Sequence, residues 1–249
     1  MVDSMIIKIL VGFVITLFFG IIAFMKEMVD DTGFITGVIL FTFTYVFLDW
    51  QAYVIVILFF LISGISIEIE NKDKAEKGAF ELYKAKRTIQ RVLGRCLAGA
   101  IFGALFFMTN RPEFQLAFVA SYAESAFDTV STKLGKLLSR DACLITNFKI
   151  VHRGTPGAVS WQGTLYGILA ALVLGIPAFV VGLIKIHNLF AVILAAFLGS
   201  TIDSFLNTLS YQKKSIPNEF INFFSSMTAG IAAIVLWWLC YIFSPPFLP

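Results

Sequence analysis

Three acids stand where apolar residues dominate: Glu124, Asp128 and Asp203. An ionisable side chain in such a setting is costly and faces a cavity, a partner or a substrate. Glu124 and Asp128 are four residues apart, so on a helix they share a face. Two like charges there repel unless a cation or a proton lies between them. Asp203 belongs to a polar stripe, Ser200, Asp203, Ser204 and Asn207, spaced i, i+3, i+4, i+7, and Asn222 opens the last apolar run. Carboxylate oxygens suit a hard cation. Mg²⁺ takes one or two carboxylates and fills its shell with water and substrate phosphates, a number that Asp128 and Asp203 match. His152 and His187 lie apart from these acids. Cys96, Cys143 and Cys240 are widely spaced without a CxxC, which supports neither a disulfide framework nor a thiolate metal site.

The second chemical signal is the run from Leu144 to Ser160. Lys149 and Arg153 supply positive charge, and Thr155 and Ser160 supply hydroxyls. Gly154 and Gly157 can take backbone angles that aim successive N–H groups at an anion. A helix begins just beyond, with its positive end at the same place. The pattern GxxxxGK[ST] is absent, so this is not a Walker A loop. Acids for a cation beside a basic, glycine-bearing turn make a site for phosphate and Mg²⁺.

These residues must be positioned by membrane-spanning helices. Of the 249 residues, 58% are hydrophobic and 14% charged, with a mean hydropathy of +0.85. A soluble domain averages about 25% charged residues, and one of this size would lack polar surface to cover such a core. Runs near the length needed to span fall at Met5–Met25, Phe34–Leu48, Ala52–Ile67, Cys96–Met108, Phe114–Val130, Ala158–Ile184, Asn188–Leu209 and Phe220–Phe243. The first lacks a small-residue cleavage site and reads as a retained helix, not a signal peptide. Asp49-Trp50-Gln51 divides the second and third into a tight helical hairpin, and Pro177 is expected to kink the sixth. The fold class is therefore all-α: a polytopic membrane protein of about eight transmembrane helices, with seven as the lower count. Residues 1–249 form a single membrane domain.

Charge placement tests that count. With strict alternation, the loops 26–33, 67–95, 132–157 and 210–219 share one side and hold 16 of the 19 Lys and Arg residues. Lys8, Arg111 and Lys185 lie toward the other. The positive-inside rule makes the basic side cytoplasmic, with both termini outside and the site facing the cytoplasm. Segment 68–95 is a basic interfacial segment, and 132–157 a cytoplasmic phosphate-binding loop.

At these residues the chain resembles the membrane family of the chloroplast phytyl-phosphate kinase, its archaeal and bacterial relatives and a human transmembrane homologue. The blocks that carry the resemblance are Arg87-x-x-Gln90-Arg91-Val92-Leu93, Phe127-Asp128-Thr129-Val130-Ser131, Leu144-Ile145-Thr146 through Arg153-Gly154-Thr155-Pro156-Gly157-Ala158-Val159-Ser160-x-x-Gly163-Thr164, Leu198-Gly199-Ser200-x-x-Asp203-Ser204, and Asn222. Members of that family usually carry an acid four to five residues after the matched aspartate, where this chain has Lys133. Two readings stay open: Glu124 replaces the missing carboxylate, or Lys133 binds a phosphate directly.

The resemblance implies CTP-dependent phosphoryl transfer to a membrane prenyl monophosphate (phytyl, geranylgeranyl or farnesyl phosphate), giving the diphosphate with Mg²⁺ as cofactor. In that scheme Asp128 and Asp203 hold the metal. Lys149, Arg153 and the Gly154–Gly157 backbone cradle nucleotide phosphates, and Arg87, Gln90 and Arg91 clamp a substrate phosphate. Ser131, Thr132, Thr155, Ser160, Ser200, Ser204, Asn207 and Asn222 orient oxygens, with Glu124 and Lys133 nearby. The partners are CTP, the prenyl monophosphate and the bilayer; no nucleic acid is expected, and a homo-oligomer is left open. The competing classes are an ion-coupled transporter, whose site belongs near mid-membrane, a CTP-dependent lipid cytidylyltransferase that releases pyrophosphate, and a structural scaffold.

Overall fold

The computed structural model describes residues 2–76, 88–213 and 216–243. Seven α-helices run through them: α1 (Val2–Met25), α2 (Asp31–Glu76), α3 (Ile89–Thr109), α4 (Pro112–Leu138), α5 (Trp161–Val180), α6 (Leu189–Lys213) and α7 (Asn218–Phe243). Six of them, α4 being the exception, are long and apolar enough to cross a membrane. Helices suit this role because every backbone polar group is satisfied within the element, which lipid demands. The chain is a multi-pass integral membrane protein.

The long α2 is broken at Asp49, whose backbone (φ 59°, ψ −166°) is not helical. Phe41 and Phe60 lie either side of that break, and their rings are 5.3 Å apart. Nineteen residues of straight helix would separate them by roughly 28 Å, so the two legs are antiparallel. This is the hairpin that Asp49-Trp50-Gln51 announces. Asp49 also receives Lys8 Nζ at 2.8 Å, which ties the tip of the hairpin to α1.

Helix α4 explains its own composition. It packs against α2, α3, α5, α6 and α7, and every residue from Leu116 to Val130 is buried. A helix sheathed by protein need not be apolar all round, which is why it alone carries Glu124, Asp128 and a series of hydroxyls. It starts with Pro112 in its first turn, after Asn110 ends α3 in the left-handed conformation (φ 53°). It extends two turns past the predicted Val130, so Thr132 and Lys133 are helical and not part of a loop.

The rest of the predicted 132–157 loop is also ordered, and it adds a small sheet to the all-α bundle. Three short strands, β1 (Asp141–Leu144), β2 (Ile150–His152) and β3 (Ala158–Val159), form an antiparallel sheet in the order β2-β1-β3. Asp141 pairs with His152 and Cys143 with both Ile150 and Val159. Of the predicted 68–95 segment, the first part continues α2 and the last opens α3, while residues 77–87 lie outside the described residues. Pro177 stands in the last turn of α5, which stops at Val180, four residues short of the predicted end.

Among the described residues, the flanks of the basic loops meet at one end of the bundle. The start of α3 meets the start of α7 so closely that a Cβ on Gly94 would lie 2.7 Å from the Glu219 carbonyl oxygen. At the opposite end Lys8 pairs with Asp49, and Arg111 with buried Glu113 at 2.5 Å.

Candidate active site

The C-terminal halves of α4 and α6 each contribute an aspartate to one cavity of about 340 Å³. Asp128 is buried on α4. Its Oδ2 accepts from Arg95 Nη2 at 3.1 Å and its Oδ1 from Thr132 Oγ1 at 3.3 Å. Arg95, on α3, is itself fixed: Nη1 donates to Thr129 Oγ1 at 2.8 Å and to the Ser125 carbonyl at 3.2 Å, and Ser125 Oγ donates back to the Arg95 carbonyl at 3.1 Å. Asp203 is buried on α6. Asn207 Nδ2 donates to its Oδ2 at 2.7 Å, one helical turn on, and Ser225 Oγ of α7 donates to its Oδ1 at 3.4 Å.

Close helix approach makes this meeting possible. A Cβ on Gly199 would lie 2.6 Å from Glu124 Cγ and 2.8 Å from the Ser225 carbonyl oxygen, so only glycine lets α4, α6 and α7 converge here. Arg95 acts electrostatically on Asp128, Asp203 and Glu124 alike. Three carboxyl groups thus gather around one guanidinium, so the described site holds more acids than buried cations.

The opposite wall is the turn between β2 and β3. Gly154 (φ 90°) and Gly157 (φ 76°) both lie in the region that side chains rarely adopt. A Cβ on Gly157 would collide with Thr208 Oγ1 and the Ser204 carbonyl, so the turn presses its backbone directly onto α6. Arg153 borders the cavity and reaches back to the end of α4, where Nη1 donates to the carbonyls of Leu137 at 3.3 Å and Ser139 at 3.5 Å. A cation at that helix end is favoured by the helix dipole. Ser160 Oγ accepts from the Gly163 N–H at 3.2 Å, so it caps α5 while lining the cavity.

Fourteen of the predicted residues line this one cavity: Asp128, Ser131, Thr132, Lys133, Arg153, Gly154, Thr155, Gly157, Ser160, Ser200, Asp203, Ser204, Asn207 and Asn222. Four do not. Glu124 is buried beneath it, one turn before Asp128. Lys149 is exposed in the β1–β2 turn, because the hairpin carries it away from the helix ends. Gln90 and Arg91 are exposed on the first turn of α3, outside the lining. Arg87 lies outside the described residues.

Two participants escaped the sequence reading. Arg95 read as one more member of a basic stretch, although its spacing of four from Arg91 continues that helical face into the span. Glu70, near the C-terminal end of α2, is buried and pairs with Lys133 Nζ at 2.5 Å. No local pattern links residues 63 positions apart, and only the packing of α2 on α4 joins them. Neither open reading of Lys133 included this partner.

Among the described residues no group of three or more His, Cys, Asp or Glu side chains is arranged to hold a metal ion. The donors that do converge are two carboxylates with neutral hydroxyls and amides. That all-oxygen set fits a hard divalent cation that completes its shell from water and substrate.

Comparison with known proteins adds lineage. The chain is 29% identical over 213 residues to the uncharacterized membrane protein sll0875 of Synechocystis sp., covering 84% of this chain and 83% of that one. It is 30% identical over 207 residues to the chloroplastic protein VTE6 of Arabidopsis thaliana, covering 76% of this chain and 61% of the plant protein. It is 28% identical over 240 residues to the uncharacterized membrane protein MJ0933 of Methanocaldococcus jannaschii, covering 95% and 98%. No solved structure matches it. The family model described as integral membrane protein DUF92 matches residues 14–235, and the chain belongs to that family.

Proposed function

We propose that this protein is a prenyl-phosphate kinase of the membrane, transferring a phosphoryl group from CTP to a prenyl monophosphate. Family membership, together with the resemblance to phytyl-phosphate kinases, points to an enzymatic role in the membrane. The observation that carries the finer reading is the cavity in which Asp128 and Asp203 face the Arg153–Gly157 turn. In this reading α2 crosses the bilayer twice and α4 once, giving eight crossings of a single membrane domain. The basic end, with segment 68–95 and the 132–157 region, faces the cytoplasm as a phosphate-binding surface.

Asp128 and Asp203 would hold Mg²⁺, which when bound neutralises charge on the nucleotide phosphates. The chain's own residues do the rest. Gly154 and Gly157 let the turn's N–H groups approach phosphate oxygens, and Arg153 adds charge beside them. Arg95 holds and orients the Asp128 carboxyl. An oxygen of the acceptor phosphate attacks the γ-phosphorus. The bond from that phosphorus to the bridging oxygen breaks, and CDP leaves with the electron pair. The acceptor is already an anion, so no general base is needed, and catalysis is positioning plus charge neutralisation. Lys133, held by Glu70 on the cavity wall, is placed to shift onto a phosphate.

The test is incubation of purified protein with labelled CTP, Mg²⁺ and a panel of prenyl monophosphates. CDP and prenyl diphosphate are the expected products. Pyrophosphate release would replace this reading with a cytidylyltransferase, and absence of any nucleotide turnover across the panel would end it.

A further inference from the structure

A second cavity, of about 250 Å³, lies between α1 and the two legs of α2, with a wall that is almost wholly apolar. Phe19, Gly20, Phe34, Phe41, Tyr53 and Val92 define it. One leg lines it from Gly33 to Phe41, a length of about 12 Å at 1.5 Å per residue. Tyr53 closes its deep end, with its ring against those of Phe19 and Tyr45, at 6.2 Å from each. Gly20 keeps it open, since a Cβ there would meet the Phe34 ring at 3.1 Å. Ile22 and Leu61, on its lining, are exposed on the outside of the bundle, which gives the groove a lateral rim.

Its position relates it to the candidate site. Val92 and Arg95 are three residues apart on α3 and so lie on one face. Val92 lines the apolar groove, and Arg95 lines the polar cavity and holds Asp128. One helical turn therefore separates a phosphate-sized polar site from an apolar slot. The slot is a single groove of about 250 Å³ with five aromatic rings on its wall, a volume that suits one chain and not the pair carried by a diacyl lipid.

We infer that the groove between α1 and α2 is the binding site for the isoprenoid tail of the acceptor. This rests on the kinase reading and adds to it a tail site, fixed by residues that no part of the polar cavity uses. The slot ends at Tyr53, so the part of a longer tail that exceeds it must leave through the rim at Ile22 and Leu61.

The test uses the wild-type protein in nanodiscs with a prenyl monophosphate that carries a diazirine in its tail. Photolabel is expected on α1 and α2 residues of the groove and is expected to be displaced by unlabelled prenyl monophosphate. Ala23, which also lines the groove, offers a block. Ala23→Phe should raise KM for prenyl monophosphates by about tenfold, the scale of a changed apolar contact, while leaving KM for CTP unchanged. Label confined to residues outside the groove overturns the inference. So does groove label that unlabelled prenyl monophosphate fails to displace, because bulk lipid then occupies the slot. CDP formation with an unlabelled groove sinks the tail site and leaves the kinase reading standing. A labelled, competed groove without CDP formation does the reverse.

Discussion

Arg95 on α3 holds Asp128 on α4 through an ion pair of 3.1 Å, and the same guanidinium grips Thr129 one residue further on. An aspartate tied by an arginine is not thereby removed from the cavity: Asp128 lines it together with Asp203, and its Oδ1 accepts from the Thr132 hydroxyl at 3.3 Å. The pair with Arg95 orients the carboxyl at that wall.

Replacing Arg95 should therefore affect both stability and turnover. Removing one partner of a buried pair typically costs about 3–5 kcal/mol, and the residual exposure of this one puts it at or below the lower end of that range. Arg95→Ala is expected to lower the thermal midpoint and to weaken turnover. Arg95→Lys should recover most of the stability but lose the second arm to Thr129. Thermal unfolding in detergent, set beside initial rates, separates the two effects. An Arg95→Ala protein with unchanged midpoint and rate would remove Arg95 from the account.

Asp203→Asn keeps shape and hydrogen bonding to Asn207 while removing the charge. Turnover should fall by about 10²-fold or more, the usual scale for a lost electrostatic contact to developing charge. The fold should persist, as judged by the elution profile and the helical dichroism signal. Wild-type rates from Asp203→Asn would refute the metal-holding role.

The Glu70–Lys133 pair offers a cycle. Lys133→Met alone takes the Lys133 ammonium away from a buried carboxylate and should destabilise the protein by up to about 3 kcal/mol. Adding Glu70→Gln should restore most of that loss. Activity should not return with stability if Lys133 also meets a phosphate. Full recovery of both in the double variant would assign the pair a purely structural role.

Gly154 and Gly157 share a left-handed backbone but not surroundings. Gly154→Ala meets nothing within 4 Å, so its cost should be the conformational one, about 1–2 kcal/mol. Gly157→Ala adds a collision with α6 at Thr208 and Ser204. It should be the more damaging of the two, shifting the turn and weakening nucleotide binding measured by calorimetry. Equal effects from the two variants would mean that the turn is not seated on α6 as described.

Acid should loosen the α1–α2 connection. The Gly33 N–H donates to Asp30 Oδ1 at 2.7 Å and the Thr32 hydroxyl at 2.8 Å, and these bonds hold the Asp30 carboxyl below its ordinary value. A depressed value in the folded state means that this stabilisation is present above the ordinary aspartate value of about 3.9 and is lost as pH falls through the lower, folded one. Hydrogen exchange at Gly33 and Phe34 should accelerate over that range, and Asp30→Asn should abolish the pH dependence. An unchanged pH profile in Asp30→Asn would assign the loosening to another group.

Much of this architecture was legible in the chain itself, because lipid imposes one-dimensional rules. A span must be an apolar run of helical length, and basic residues gather on one side of the membrane. Those rules marked out the apolar helices and the hairpin at Asp49. They also singled out Asp128 and Asp203, since a carboxylate in an apolar run is conspicuous without any neighbour. The tertiary structure decided what depends on pairs distant in sequence. That α4 is sheathed by five helices, that Arg95 and Glu70 are the partners of Asp128 and Lys133, and that Lys149 points away on a β-hairpin are all consequences of packing. Side chains on different helices meet only where glycines such as Gly199 let the backbones close, and the identity of the residue across that gap is not written in the local pattern on either side.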